Sequence, residues 1–463
     1  MESRRIAKTA TKPRPQLPAG PYLVVGLARS GAAVAELLAR RGAEVLACDS
    51  GSPAEAERLG RLGIETYLDD DGTTHLDRVG SVIKSPGVPP SAAVAVAAGR
   101  RGIELIGELE VAWRLLPNRF VAITGTNGKT TVTELVGQIF RSAGEPVELA
   151  GNVGTPLSGL VDKVDPEATI VCECSSYQLH DSAWFSPDCA VLLNVAPDHL
   201  DWHGTFAAYV SAKIRVFSNQ SEGDYAIREH GDPELDYVPT PGEASLVEYA
   251  LGAADPGGRC RVRFDGESIL LDGEVLLERS ELHLSGDHNV RNAMAAATVA
   301  AVSGIDRAAI AAGMRRFRPV AHRLEPVAEI AGVRYVNDSK ATNPLAAAVA
   351  LAAFAGCGVR VLLGGSLKGG EFSELVGPLR EHARAAYLFG EAAPQLRSDL
   401  GEAELGGVEL ITCPDLAGAL ARAAAEATDG EVVLLAPACA SFDAFSDYVE
   451  RGEAFRRLVG GLR

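Results

Sequence analysis

The sequence has few aromatic residues, no paired cysteines and no long apolar run, and each shortage excludes a class of protein. Its 8 cysteines are scattered, without a secreted framework or paired Cys-x-x-Cys ligand sets. Cys172 and Cys174 would share one face of a strand, and we expect reduced core thiols there rather than a metal pair. Apolar runs of about eighteen residues, typical of membrane spans, are missing. The stretch from Met1 to Gln16 is basic and lacks a signal-peptide core. We therefore expect a cytoplasmic protein with no membrane partner.

Positive charge is also in short supply. Lys and Arg total 44 against 61 for Asp and Glu, a formal net charge of −17. General nucleic-acid binders are usually basic, so we expect no nucleic-acid partner, whereas local cationic clusters could still bind an anionic small molecule. The chain has 463 residues, 49 of them glycine, and is 47% hydrophobic. At roughly 150 residues per domain this predicts about three α/β domains of alternating strands and helices.

A phosphate-binding loop is the strongest local pattern. The apolar residues Phe120–Ile123 predict a buried strand that leads through a glycine-rich turn into an amphipathic helix. Gly125 and Gly128 allow a phosphate to approach the backbone, and Lys129 can reach the β- and γ-phosphates. The Thr130 hydroxyl can bind Mg²⁺. The motif is the short Gly-x-x-Gly-Lys-Thr form, because Ile123 stands where the longer pattern has glycine. We predict nucleoside triphosphate binding; the alternative is a structural turn with a solvated lysine.

Chemistry-bearing residues follow two further predicted strands. The strand 168–172 ends at Glu173, a position from which a carboxylate near a phosphate loop can hold Mg²⁺. The strand 190–195 ends in a segment that contains His199 and His203 together with two aspartates, which suits a metal or proton-transfer site. A lone histidine would more often be structural. Sequence alone predicts that Lys213, on the next helix, is a solvated lysine.

The first predicted elements form a strand–helix–strand unit, whose second strand ends at Asp49. This unit resembles a dinucleotide-binding fingerprint. Ala28 stands at the middle glycine position, so we favour another anionic, nucleotide-like ligand over NAD. The strand Ser81–Lys84 leads into a Ser-Pro-Gly turn. Near the C-terminus three buried strands lead into the polar loops 337–344, 364–370 and 437–443. We expect these loops to meet at one edge of a parallel sheet and to form a site.

Several segments taken together resemble the Mur ligase family of ATP-dependent amide-bond-forming enzymes: 125–130, 194–199, 287–292 and 322–323. Two more, 337–343 and 438–443, are similar to the D-glutamate-adding branch of that family. The resemblance implies three α/β domains with mostly parallel sheets. These would be a Rossmann-like domain for the UDP part of the substrate (1–107), a P-loop mononucleotide-binding domain (108–318) and a second Rossmann-like domain (319–463).

The resemblance also implies a reaction. With ATP and two Mg²⁺ ions, a cytoplasmic monomer would add D-glutamate to UDP-N-acetylmuramoyl-L-alanine through an acyl phosphate, in peptidoglycan precursor synthesis. The implied nucleotide contacts are Gly125, Thr126, Asn127, Gly128, Lys129, Thr130, Thr131, Asn292, Arg323, Asp338 and Lys340. The implied metal ligands are Thr130, Glu173, His199 and Lys213, the last as an N-carbamate. The implied catalytic residues are Lys129, Glu173, His199 and Lys213.

The resemblance assigns further residues to the two acceptor substrates. The UDP part would be held by Ala28, Arg29, Ser30, Asp49, Ser50, Ser85, Pro86 and Gly87. Asn152 would lie beside the muramoyl group. D-Glutamate would be surrounded by Thr342, Lys368, Ser441 and Tyr448. Two positions depart from the pattern: Gly51 stands where some members have arginine, and Tyr448 where phenylalanine is frequent.

Other functions explain only part of this sequence. A sibling Mur ligase or a folylpolyglutamate-type ligase would use another amino acid, and such enzymes differ in the Asp-Ser-Lys-Ala-Thr-Asn segment. A nicotinamide oxidoreductase would account for the first strand–helix–strand unit, but Ala28 and the phosphate loop disfavour it. A regulatory NTPase would account for the phosphate loop but not for the polar loops of the last third.

Overall fold

The computed structural model describes residues 12–152, 154–252, 258–284, 286–318, 321–354, 356–367, 372–401 and 405–462. The chain forms three sheets that are wholly or mostly parallel, each flanked by helices, as the sequence predicts. Within the described residues no helix combines the length and the apolar character needed to cross a membrane.

The first sheet is parallel throughout, in the order β3-β2-β1-β4-β5. The chain runs outward from β1 to β3 and then returns to β4 on the other side of β1. This makes the crevice between β1 and β4 the point where an open α/β sheet binds ligands. The elements are β1 (Tyr22–Val25), α1 (Arg29–Arg40), β2 (Val45–Asp49), α2 (Glu55–Arg61), β3 (Glu65–Leu68), β4 (Ser81–Lys84), α3 (Ala93–Arg101), β5 (Glu104–Gly107) and α4 (Glu108–Leu115).

The second sheet has the order β14-β13-β12-β11-β10-β9-β6-β8-β7 and is parallel except for β13, which is antiparallel to both β12 and β14. The strand before the phosphate loop, β6, lies between β8 and β9, again at a reversal of strand order. The elements are β6 (Phe120–Thr124), α5 (Lys129–Ser142), β7 (Val147–Gly151), β8 (Thr169–Glu173), α6 (Ser176–His180), β9 (Cys189–Leu192), α7 (Leu200–His203), α8 (Phe206–Ile214), β10 (Tyr225–Glu229), α9 (Pro233–Asp236), β11 (Ser245–Leu251), β12 (Cys260–Phe264), β13 (Ser268–Leu271), β14 (Glu274–Glu278), α10 (Asp287–Val302) and α11 (Arg307–Arg316).

The third sheet has the order β15-β16-β20-β17-β18-β19, and only β15 is antiparallel to its neighbour. Strands β16, β20 and β17 are adjacent, so the polar loops that follow them start from the same edge. The elements are β15 (Glu325–Ile330), β16 (Val333–Asn337), α12 (Pro344–Ala352), β17 (Val359–Gly364), α13 (Val376–His382), β18 (Ala383–Phe389), α14 (Ala393–Gly401), β19 (Glu409–Thr412), α15 (Leu416–Glu426), β20 (Val432–Ala438) and α16 (Tyr448–Gly460).

The three sheets group into two compact units. The first comprises Met1–Leu282 and Arg291–Phe317, and the second comprises His283–Val290 and Arg318–Arg463. The first two sheets belong together because one apolar cluster joins them: Leu37 on α1 packs in the same core as Trp113 on α4 and Phe120 on β6. Burying these side chains removes a large apolar area from water. The boundaries at 107/108 and 318/319 stay predictions.

Candidate active site

The phosphate loop adopts the backbone that its glycines permit. Gly125 and Gly128 have φ values of 154° and 88°, and α5 begins immediately afterwards at Lys129. A Cβ atom at Gly128 would lie 2.4 Å from Oδ1 of Asn292, so a larger residue would be strained and would displace the Asn292 side chain. The loop is fixed from β9, because Asn194 accepts a hydrogen bond from the Asn127 amide (2.8 Å) and donates one to its carbonyl (3.1 Å). The predicted nucleotide residues from Gly125 to Thr131, with Asn292, therefore lie together.

Lys129 folds back over this loop. Its ammonium group donates to the carbonyl oxygens of Gly125 and Thr126, both at 2.9 Å. The positive end of the α5 dipole and this ammonium group lie at the same place. The loop therefore carries a concentrated positive potential that suits a phosphate group.

Buried oxygen atoms that could bind a metal ion lie beside the loop. Oγ1 of Thr130 donates to Oε2 of Glu173 at 2.7 Å, and Nδ2 of Asn152 donates to Oε1 of the same carboxylate at 3.0 Å. Glu173 is at the end of β8, in register with Ile123 of β6, and is only 3% exposed. A hydroxyl and a carboxylate are the hard oxygen ligands that Mg²⁺ prefers. The geometry fits the predicted metal role of Thr130 and Glu173, and it brings Asn152 to the same carboxylate.

The expectation from helix pattern alone that Lys213 is solvated is wrong. Lys213 is 1% exposed, and its ammonium group donates to the carbonyl oxygen of Gly125 at 2.8 Å. Burial, followed by repulsion from Lys129, holds the pKa of Lys213 well below its usual value. The face of α8 that carries Lys213 packs against the phosphate loop, a long-range contact that the spacing of apolar residues does not encode. The structure therefore brings a readily deprotonated amine to the phosphate loop.

His199 lies in an aromatic cluster formed by Tyr177, His180, His199, Trp202, His203 and Tyr209. Its backbone is left-handed, with a φ of 54°, which is uncommon for a residue with a side chain. Tyr209 connects the parts of the site: its hydroxyl is 2.9 Å from Oγ1 of Thr126, and the centre of its ring is 6.4 Å from that of His199. The Lys213 ammonium lies 4.5 Å from the same ring. His199 and Lys213 thus flank one tyrosine that sequence reasoning did not single out.

In the first sheet the predicted substrate residues lie at the carboxyl ends of β1, β2 and β4. Ala28–Ser30 begin α1, and Ser85–Gly87 follow β4, on the two sides of the β1/β4 crevice. The two loops touch, because a Cβ atom at Gly26 would lie 2.8 Å from that of Ser85. The Asp49 carboxylate accepts hydrogen bonds from the amides of Leu27 (2.6 Å) and Gly51 (2.8 Å), which shape the loops next to Ser50.

In the second unit the predicted residues gather around the end of β16. Oδ1 of Asp338 accepts a hydrogen bond from the Leu324 amide at 3.1 Å. Burial raises the pKa of Asp338 to about 6, against the opposing effects of Arg323 and Lys340. The Lys340 ammonium lies 5.4 Å from the Tyr448 ring centre. Thr342 continues the same loop, and Ser441 is buried in the loop after β20. Lys368 lies outside the described residues.

Arg451 on α16 was not predicted from the sequence. It is completely buried and donates to carbonyl oxygens after β16, at the end of β17 and after β20: those of Ser339 (2.9 Å), Gly364 (3.4 Å), Cys439 (3.1 Å) and Ala440 (2.8 Å). Burial lowers the pKa of its guanidinium group to about 10. One cation therefore ties together the three loops that carry the predicted amino-acid contacts. An arginine inside a charged helical stretch gives no sign of this in the sequence.

A second group of possible metal ligands comprises His230, Glu248 and Cys260, whose ligand atoms lie within 4.8 Å of one another. Glu248 is paired with Arg228 at 3.1 Å and also contacts Nδ1 of His230 at 3.2 Å. Arg228 already balances the buried carboxylate, so an ion pair between strands accounts for this group.

Comparison with known proteins identifies the family of the chain. Three family models match: "Mur ligase MurD-like, N-terminal domain" (21–107), "Mur ligase middle domain" (123–300) and "Mur ligase, glutamate ligase domain" (322–439). Two curated relatives, both named UDP-N-acetylmuramoylalanine–D-glutamate ligase, come from Rubrobacter xylanophilus and Solibacter usitatus. The first is 43% identical over 95% of this chain and 98% of its own length. The second is 41% identical over 95% and 97%.

Solved structures share the fold at low sequence identity. The UDP-N-acetylmuramate-alanine ligase of Thermotoga maritima is 18% identical with a TM-score of 0.60, covering 96% of this chain and 100% of its own. The MurF ligase of Thermotoga maritima in complex with ADP is 17% identical with a TM-score of 0.57, covering 97% of each chain. The family models and the identity to the curated relatives show that the chain belongs to the Mur ligase family.

Proposed function

We propose that this protein is an ATP-dependent ligase that joins D-glutamate to UDP-N-acetylmuramoyl-L-alanine in peptidoglycan precursor synthesis. The observation that carries the proposal is the convergence of Lys129, the Thr130–Glu173 pair and buried Lys213 on one phosphate loop. Relatives at 41% and 43% identity bear the name of this activity and support the choice of substrates.

The phosphate loop is the proposed ATP site. The backbone amides at the start of α5 would donate to the phosphate oxygens, and Lys129 would exchange its two carbonyl partners for the β- and γ-phosphates. In the second unit Arg323, Asp338 and Lys340 are the proposed further nucleotide contacts.

We propose two Mg²⁺ sites. Thr130 and Glu173 would hold one, and His199 with N-carbamylated Lys213 would hold the other. When bound, the ions would neutralise negative charge on the phosphoryl oxygens during transfer. Carbamylation requires a neutral amine, which adds to CO₂ and loses a proton to leave a carbamate. The lowered pKa of Lys213 supplies that neutral amine.

The chemistry follows from the poor reactivity of a carboxylate. The alanyl carboxylate of the UDP substrate would attack the γ-phosphorus of ATP, which releases ADP and leaves an acyl phosphate. The neutral amine of D-glutamate would then attack the acyl carbon, forming the amide and releasing phosphate and a proton. Lys129 and the N-terminus of α5 would stabilise the charge on the transferring phosphoryl group. The buried walls around Lys213 and Glu173 would limit the access of water to the acyl phosphate.

Phosphate release tests the proposal. Purified protein is assayed with ATP, Mg²⁺ and UDP-N-acetylmuramoyl-L-alanine against D-glutamate, L-alanine, glycine and diaminopimelate. We expect rapid release only with D-glutamate, and its loss when either acceptor substrate is omitted. Efficient release with another amino acid would reassign the protein to a sibling ligase, and release without acceptors would indicate a regulatory NTPase. Lys129→Ala should fold but lose on the order of 10²-fold in rate.

A further inference from the structure

Lys84, the last residue of β4, is a buried cation that the mechanism above does not use. Only 1% of its side chain is exposed, and its ammonium lies 2.7 Å from Oδ2 of Asp181, which is 3% exposed. Lys84 belongs to the first sheet, whereas Asp181 ends α6 beside the second sheet, and both lie in the first compact unit. The contact is an ion pair, and Oδ2 has no hydrogen-bond partner among the described residues.

The ammonium group of Lys84 also closes the turn Ser85–Gly87, the proposed substrate turn. It donates to the carbonyl oxygen of Val88 at 2.5 Å, so one side chain joins the two ends of the turn Ser85–Gly87. The ion pair therefore sets both the shape of this turn and its attachment to α6. Since the turn borders the β1/β4 crevice, any movement of Lys84 would move a wall of the proposed UDP site.

On the other side the pair contacts the aromatic cluster that contains His199. The Lys84 ammonium lies 5.3 Å from the Trp202 ring centre, within the range of a cation–π contact. Oδ1 of Asp181 is 2.9 Å from Nδ1 of His180. The backbone carbonyl oxygen of Asp181 accepts a hydrogen bond from the Gly107 amide at 3.2 Å. Trp202 lies 4.5 Å from His203, centre to centre. A continuous set of contacts thus runs from the substrate turn to the aromatic cluster.

Stability alone is a poor reason for such a pair. Removing two charges from water costs about as much as their attraction returns, so a well-packed apolar pair would stabilise the interface at least as well. The first two sheets are also joined at the surface by Arg41 and Asp162, 2.9 Å apart, with side chains 43% and 64% exposed. Surface pairs of that kind contribute little and are screened by salt. The buried pair of Lys84 and Asp181 differs from this surface pair, because burial holds its two charged groups in one fixed relative orientation.

We propose that Lys84 is a positioning residue, which with Asp181 holds the Ser85–Gly87 turn against the aromatic cluster and so orients the UDP-linked substrate toward the phosphate loop. The inference rests on the proposed function, because it requires the turn to bind that substrate. A turn anchored in this way presents the bound substrate in one orientation, and small errors in position reduce rates strongly.

The test compares single and double variants with a matched control. Lys84→Met and Asp181→Leu each leave one buried charge unpaired and should lower the unfolding temperature. The Lys84→Met/Asp181→Leu double variant removes both charges and should recover most of that loss. Its KM for the UDP substrate should nevertheless rise roughly fivefold or more while its KM for ATP stays the same. The surface double variant Arg41→Ala/Asp162→Ala should change neither KM.

A double variant with a wild-type KM for the UDP substrate would overturn the proposal, because the pair would then contribute only to packing. If the double variant does not fold, Asp181→Asn decides, because the amide keeps the shape of the side chain and removes the charge that pairs with Lys84. A raised KM for the UDP substrate in that variant supports positioning, and an unchanged KM overturns it. Failure of the proposed function is distinguishable, because the wild-type protein itself would then not turn over the UDP substrate with D-glutamate.

Discussion

At the scale of single residues, Lys213 shows how burial changes the chemistry of an ordinary side chain. Its amine donates to the phosphate loop, and burial lowers its pKa, which favours the neutral form of the amine. We predict that Lys213→Ala loses activity and that short carboxylic acids in the assay buffer partly restore it. The added carboxylate would occupy the space of the lost side chain and replace the oxygens of the carbamate. The measurement is the rate of phosphate release against acid concentration.

Lys129→Ala is the control for this rescue. It also removes a lysine from the loop, but its proposed role is cationic, so added carboxylic acids should not restore its activity. A Lys213→Ala variant as active as the wild type would remove Lys213 from the site.

Asp338 carries a prediction about pH. Burial raises its pKa from 3.8 to about 6, so the folded protein binds this proton more tightly than the unfolded chain. Stability therefore falls as pH rises from about 4 to about 6, and the full penalty, on the order of 3 kcal/mol, persists above that window. Below pH 4 both states are protonated and the penalty vanishes. Asp338→Asn should remove this dependence.

The measurement is the free energy of unfolding in urea at a series of pH values. The stability of Asp338→Asn relative to wild type should increase between about pH 4 and pH 6 and then level off. Glu381→Gln, which removes an exposed carboxylate from the same unit, is the matched control. Parallel curves for Asp338→Asn and wild type would contradict the assignment of the shift to Asp338.

At the scale of helices and strands, much of the fold follows from local patterns. The strand Ser81–Lys84 has the predicted bounds, and β6 leads into α5 where the glycine-rich turn predicts a helix start. These segments are readable because an apolar run next to a turn signal specifies a buried strand with its polar loop at one end. That rule also placed Glu173 and the loop after β16 correctly.

Contacts between distant segments could not be predicted in this way. Lys84 and Asp181 pair across two sheets, and Arg451 reaches loops from three strands, yet each sits in a stretch that reads as an ordinary strand end or charged helix. Spacing along the chain reports which face of an element is apolar and not which element packs against it. Lys213 was misread for that reason.

The two ends of α5 offer a test of the phosphate loop as an element. Gly128 at its start has a φ of 88° and meets Asn292, whereas Gly144 after its end has a φ of 72° and no atom within 4 Å of an added Cβ. Alanine at either position is strained by about 1 kcal/mol or more. We predict that Gly128→Ala weakens ATP binding at least tenfold and that Gly144→Ala does not, as measured by calorimetric titration with ATP. Equal affinity of the two variants for ATP would contradict the assignment of residues 125–131 as a phosphate-binding loop.

At the scale of the whole molecule, local charge opposes the overall charge. The chain carries a net −17, and the proposed substrates are all anionic. The cations that would meet them are held in place by the fold: Lys129 by loop carbonyls, and Lys340 beside the Tyr448 ring. The proposed work divides between the units, because the phosphate loop and the UDP crevice lie in the first, and the loops carrying Thr342 and Ser441 lie in the second.

This division predicts that the binding of D-glutamate and the binding of ATP can be weakened separately. D-Glutamate brings two carboxylates, and its proposed partners are the hydroxyls of Thr342 and Ser441 and the ammonium of Lys368, which follow β16, β20 and β17 in the sequence. A buried carboxylate without a partner is costly. We therefore expect Lys368→Ala to raise the KM for D-glutamate at least tenfold, about 1.4 kcal/mol, with much less effect on the KM for ATP. Lys163→Ala, an exposed lysine in the first unit, is the control and should change neither KM. A Lys368→Ala variant that weakens only ATP would place this lysine at the nucleotide and leave the choice of D-glutamate to other residues.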